Sequence, residues 1–183
     1  MKSLVCFAEE PSMMAMLEGL LPRLFPDIVY TCIPSDGKQD LENKIKRKLR
    51  SWNDPNAVFL VIRDQDSGDC KKIKARLMEL CKEAGKPQTL IRIACHELES
   101  FYFGDLVAVE TALNVSGISE QKTKAKYRIP DNIENPSNEL EKITNGKYQK
   151  ISGSKAIGLH LSLDQNTSHS FNALISGIRK IME

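Results

Sequence analysis

Carboxylates stand at the ends of three apolar runs, and carboxylates gathered in one place can hold a hard divalent cation. The clearest case is Ala57-Val58-Phe59-Leu60-Val61-Ile62-Arg63-Asp64-Gln65-Asp66, six apolar residues in succession with two aspartates at the far end. Asp64 and Asp66 are two apart, so an extended chain points both to one side. Like charges on one side repel, and neither tolerates burial without a cation or a proton. The alternative makes them solvated turn residues, with Gly68 completing the turn and Asp69 capping the next helix. A first run, Ser3 to Ala8, ends at Glu9-Glu10-Pro11-Ser12, and a later one, Thr89 to Cys95, ends at His96-Glu97-Leu98-Glu99. Glu9 directly follows its run and is the candidate there; a helix-dipole partner is the plainer role for it.

These acids need a scaffold that brings chain ends together. A continuous apolar run reads as a strand covered on both faces, as in a parallel sheet. The carboxyl edge of such a sheet is where α/β proteins place their sites. Between the runs, helical spacing recurs. Leu17, Leu20, Leu21 and Leu24 follow Pro11 as far as Pro26, and residues 27–33 read as a second strand. Leu41, Ile45, Leu49 and Trp52 form a stripe after the turn at Ser35-Asp36-Gly37-Lys38, with Lys44, Lys46, Arg47, Lys48 and Arg50 on the other face. That basic face is either solvated or phosphate-facing. Ile73, Leu77, Leu80 and Cys81 follow Asp69 up to Gly85. A helix is predicted to run on from Phe101-Tyr102-Phe103 to Leu113.

From Asn114 to Lys155 the pattern loosens, with eight basic residues against five acids and with Tyr127 and Tyr148 among them. Aromatics interleaved with cations can stack on bases; an ordinary solvated segment is the other reading. Asn135-Pro136 starts a helix to Gly146, and Ser168-His169-Ser170-Phe171 starts the last one. The expectation is a mainly parallel α/β core over 1–113 and a loop-rich, helical elaboration over 114–183 packed on it, one structural domain overall.

The chain has 183 residues, 41% of them hydrophobic, and a net charge of +2, so overall charge alone does not point to nucleic acid. Five scattered cysteines without a C-x-x-C argue against structural zinc and fit a reducing cytosol. No signal peptide and no membrane-length apolar stretch is visible, so a cytoplasmic protein is expected. Glycine-rich phosphate loops and a Gly-x-Ser-x-Gly elbow are absent. The three histidines, His96, His160 and His169, are not at ligand spacing. The remaining chemistry is that of oxygen ligands with Mg²⁺ or Mn²⁺, and two such ions about 4 Å apart support phosphodiester cleavage.

A strand ending in Glu9, a later strand ending in Asp64-Gln65-Asp66 and the helices between them resemble a TOPRIM domain, a Rossmann-like fold of topoisomerases, primases and the overcoming-lysogenization-defect nucleases. More closely, Ala8-Glu9-Glu10-Pro11-Ser12, Arg63-Asp64-Gln65-Asp66-Ser67-Gly68-Asp69-Cys70, Arg92-Ile93-Ala94-Cys95-His96-Glu97-Leu98-Glu99 and Lys147-Tyr148-Gln149-Lys150 resemble a group of small stand-alone prokaryotic TOPRIM-like proteins, often encoded beside an ATPase. The resemblance implies a Mg²⁺- or Mn²⁺-dependent nuclease, with DNA ahead of RNA as substrate, acting with an ATPase partner in defence. It implies that Glu9 is the acid/base and a ligand, that Asp64 and Asp66 hold metal with Glu97 or Glu99, and that a late lysine, Lys150 or Lys155, steadies the phosphate. Glu10-Pro11 departs from the glycine usual after the first glutamate and removes an N–H donor. A non-catalytic partner of the ATPase and a small-molecule phosphoesterase are the alternatives.

Overall fold

The computed structural model describes residues 2–183. The apolar runs form four strands, β1 (Ser3–Ala8), β2 (Val29–Pro34), β3 (Ala57–Asp64) and β4 (Leu90–Ala94), all parallel, in the order β2-β1-β3-β4. Ser3 lies opposite both Val29 and Ala57, and Asp64 lies opposite Ala94, so the strands end at a common edge.

Alternation along the strands separates two apolar layers. Leu4, Cys6, Ala8, Leu60 and Ile62 face α1 (Pro11–Leu24) and the C-terminal helices; Val5, Phe7, Phe59 and Val61 face α2 (Lys38–Lys44) with its extension Ile45–Leu49, and α3 (Cys70–Glu83). Both layers are needed because the central strands β1 and β3 carry apolar side chains on both faces. Asp69 caps α3 by accepting from the N–H groups of Lys71 and Lys72, and Gly85, at φ +76°, follows its end. The segment Ile45–Leu49 is wound as a π-helix. Leu41, Ile45 and Leu49 recur every fourth residue, and the wider π turn holds that spacing on one buried line.

Four expectations are corrected. The helix meant to run to Leu113 is broken into α4 (Ser100–Phe103) and α5 (Leu106–Leu113). Gly104 lies so close to the Asn166 side chain that a Cβ would collide with it, and Asp105 caps the second piece through Ala108 N–H. Strand β2 starts at Val29 rather than Asp27. The helix from Pro136, α6, ends at Ile143, short of Gly146. Within the looser stretch lies an unforeseen helix, α7 (Lys150–Gly158). Its Gly158 lies against the backbone of Met16, and Gly19 of α1 lies against the backbone of α7, so the two helices touch where no side chain fits.

The last helix, α8 (His169–Met182), is capped by the Ser168 hydroxyl accepting from Phe171 N–H. Residues 114–183 form no separate core: Tyr127, Leu140, Tyr148, Ile157, Phe171 and Leu174 join the layer that covers Leu4 and Leu60. Among the described residues no helix is long and apolar enough to cross a membrane.

Candidate functional site at the carboxyl edge

From β1 the chain moves out to β2 on one side, then crosses to β3 on the other. The crevice where such a path reverses is the place where open α/β sheets bind ligands. Glu9 and Asp64 flank it. Glu9 extends the ladder by one bond, its N–H donating to Ile62 O at 3.1 Å. Its Oε2 accepts from Asp64 N–H at 2.8 Å and lies 3.7 Å from Arg63 Nε. Arg63 Nε in turn donates to Asp64 O at 3.0 Å.

Glu9 is only 3% exposed and Asp64 5%. Asp64 Oδ1 is buried and has no hydrogen-bond partner. Burial, followed by the charges of Glu99, Glu9, Glu10 and Asp66, pushes the Asp64 carboxyl well above the usual carboxylate range. Glu9 is raised as well: burial outweighs the Asp64 N–H and the Arg63 guanidinium.

The strand stops at Asp64, and this corrects the expectation of an extended Asp64–Asp66 pair. Asp66 is left-handed at φ +52°, its N–H donates to His96 O at 2.6 Å, and its carboxylate meets Lys38 Nζ at 2.6 Å. His96 is left-handed too, at φ +56°, with its N–H on Gln65 Oε1 at 3.2 Å. These two turns tie the β3 and β4 exits together. Asp66 remains close enough to raise both Glu9 and Asp64.

The third acidic exit divides. Glu97 Oε2 accepts from Ser137 N–H at 2.8 Å, so Glu97 serves the first turn of α6, whose nominal cap Asn135 makes no side-chain bond. Glu99, 2% exposed, turns inward, and Oε1 accepts from the Tyr148 hydroxyl at 2.7 Å. Burial raises Glu99 against the pull of Tyr148. The Tyr148 hydroxyl also lies 3.1 Å from Ser154 Oγ. Tyr148 is therefore not a base-stacking platform, and neither is Tyr127, which packs on the Phe103 ring and donates to Glu139.

The two late lysines separate cleanly. Lys150, on the first turn of α7, lies 3.5 Å from Glu10 Oε2. Burial opposes its charge, but Glu99, Glu10 and Asp64 together hold its pKa above the ordinary value. Lys155 lies on another face, 3.7 Å from Glu18. The edge thus gathers Glu9, Glu10, Asp64, Asp66 and Glu99 with Lys38, Arg63 and Lys150. Glu97 borders the same edge, lining a cavity with Asp66 and His96, but one of its oxygens is held by Ser137 N–H, and Lys155 lies elsewhere. The positions not proposed as site residues from the sequence are Glu10, Lys38, Arg63, Tyr148 and Ser154. Arg63 carried a signal: a charged residue inside a buried strand must find an internal partner.

The donor set suits Mg²⁺ or Mn²⁺: oxygen ligands only, excess negative charge, and one buried carboxylate oxygen unpartnered. Among the described residues no three His, Cys, Asp or Glu side chains stand ready as a metal cage. Mg²⁺ needs no such cage, because it is ordinarily held by one or two carboxylates with waters and substrate phosphate. Asp64 and Glu9 would be those carboxylates, with Asp66 and Glu99 beside them.

An α/β sheet with an acidic crevice at its switch point defines the class. The chain belongs to a family described as a domain of unknown function, DUF4276, whose model matches residues 8–179. No curated protein and no solved structure matches it.

Proposed function

We propose that the protein is a divalent-metal-dependent phosphodiester hydrolase, a nuclease of TOPRIM type. The observation that carries this reading is the buried, unpartnered Asp64 Oδ1 beside Glu9 at the switch point, within reach of the Lys150 charge. When bound, Mg²⁺ or Mn²⁺ supplies Lewis acidity to the phosphate and to the attacking water. Glu9 takes the proton from that water as its oxygen bonds to phosphorus and the P–O bond to the leaving sugar oxygen breaks, and that oxygen takes up a proton from solvent; the raised pKa of Glu9 brings it closer to neutral pH, where a proton acceptor is most useful. The Lys150 ammonium, and Lys38 once drawn from Asp66, hold the non-bridging phosphate oxygens. Arg63 fixes the Glu9 carboxylate and the Asp64 backbone. Tyr148 fixes Glu99.

Prokaryotic defence with an ATPase partner, in the cytoplasm and on DNA, is the setting proposed for this activity. Incubation of plasmid and oligonucleotide DNA with Mn²⁺ tests the reading. Wild type is expected to cut, EDTA to stop it, and Asp64→Asn to lose at least about 100-fold in rate. Equal cleavage by both proteins sinks the proposal. One observation favours a non-catalytic, cation-binding subunit instead. Pro11 opens α1 immediately after Glu10 and supplies no N–H to a phosphate there. Metal binding without cleavage, with and without an ATPase, would support that second reading.

A further inference from the structure

The helix face between Gln39 and Ser51 is a second charged surface, leading away from the acidic edge. Its outward residues are Gln39, Asn43, Lys46, Arg47, Lys48, Arg50 and Ser51, with no acid among them. The two acids of the segment are both neutralised, Asp40 by Lys44 at 2.5 Å and Glu42 by Arg76 at 3.4 Å. Lys46, Arg47, Lys48 and Arg50 are exposed, and none takes part in an ion pair or side-chain hydrogen bond among the described residues. The π winding contributes directly. A π turn separates successive residues by a smaller angle than an α turn, so Lys46, Arg47 and Lys48 fan over a narrower arc while Ile45 and Leu49 stay buried.

We infer that this face binds the backbone of a duplex nucleic acid that reaches the carboxyl edge; the inference rests on the nucleic-acid reading of that edge. Charge complementarity selects a polyanion. The helix starts at the edge, where Lys38 meets Asp66, and its basic turn lies eight to twelve residues on, about 12–18 Å away at helical rise. At about 3.4 Å of axis per base pair, that reach covers four to five base pairs of duplex beyond the phosphate at the edge. A single strand fits this face less well. Such strands are gripped by aromatic platforms, whereas residues 38–51 contain no aromatic and Trp52 is held edge-on against Phe59. Backbone contacts carry no base information, so the binding is independent of sequence.

The test compares wild type with Lys46→Gln/Arg47→Gln/Lys48→Gln/Arg50→Gln in EDTA, so that no cleavage intrudes. Binding of a 30-base-pair DNA duplex, of the matching single strand and of poly-glutamate is followed by anisotropy from about 50 to 200 mM salt. The expected result is a slope of log affinity against log salt that is shallower by about 3 to 4 in the variant for the duplex. Wild type should bind the single strand more weakly than the duplex. The four residues are exposed, so the variant should keep the wild-type unfolding midpoint and the wild-type rate on a small chromogenic phosphodiester. Equal slopes, no duplex binding by wild type, tighter binding of the single strand, or a loss confined to poly-glutamate would each overturn the inference. If the duplex slope changes as expected but neither protein cleaves DNA in Mn²⁺, the binding face stands and the nuclease reading fails.

Discussion

At Asp64 a carboxylate has been taken out of water and one of its oxygens has no replacement partner. Together with Glu9 and Glu99 it makes three buried acids whose pKa values lie above their unfolded ones near 4. For an acid raised on folding, the protonated form favours the folded state. The stabilising contribution is complete below about pH 4 and is lost as pH climbs through the raised values. Chelated protein should therefore gain stability from these groups at pH 5 relative to pH 8, as read by urea titration. Asp64→Asn keeps the shape and removes the charge, so it should stabilise the chelated protein at pH 8 by about 1–3 kcal/mol and flatten the pH dependence. A destabilised Asp64→Asn would show that the ionised carboxylate is satisfied by the protein itself. Glu9, Asp64 and Glu99 were legible because each ends or follows an apolar run. Which of Glu97 and Glu99 turns inward was not, since that depends on the Ser137 N–H and the Tyr148 hydroxyl, remote in sequence.

Secondary-structure elements decide which lysine and which glutamate reach the edge. Glu97 supports the first turn of α6 through Ser137 N–H. Glu97→Ala should cost about 1 kcal/mol, as the loss of a helix cap does, and leave Mn²⁺ affinity within about twofold. A loss of metal binding in that variant would return Glu97 to the site. Helix α7 presents Lys150 only because Gly158 and Gly19 let it lie directly on α1. Gly158→Ala places a Cβ into the Met16 backbone and should cost about 1–3 kcal/mol in urea unfolding, with weaker phosphate binding as Lys150 shifts. The strands and most helices were readable from apolar spacing, but α7 was not. Its glycines, Gly153 against the Tyr148 ring and Gly158 against α1, resemble loop punctuation until the packing partner is known. The break at Gly104–Asp105 was hidden for the same reason, since Asn166 imposes it from more than sixty residues away.

Over the whole molecule, a net charge of +2 conceals two opposed regions, surplus acid at the sheet edge and surplus base along the α2 face. The parallel sheet order generates the first by bringing three chain exits to one end. The small total also explains why overall charge alone did not point to nucleic acid. A cation that binds only the folded edge must stabilise the whole domain, by about 2.7 kcal/mol at a hundredfold excess over Kd. A thermal midpoint that rises with Mn²⁺ in wild type and stays level in Asp64→Asn is therefore expected.

The most direct test of a cation site at the carboxyl edge is the heat of Mn²⁺ binding, measured by isothermal calorimetry on chelator-free wild type and on Asp64→Asn at pH 7.5. Saturable binding by wild type and none by the variant is expected if Asp64 holds the cation. No heat in wild type, or the same isotherm in both proteins, would contradict it and leave the buried acids as elements of the fold alone.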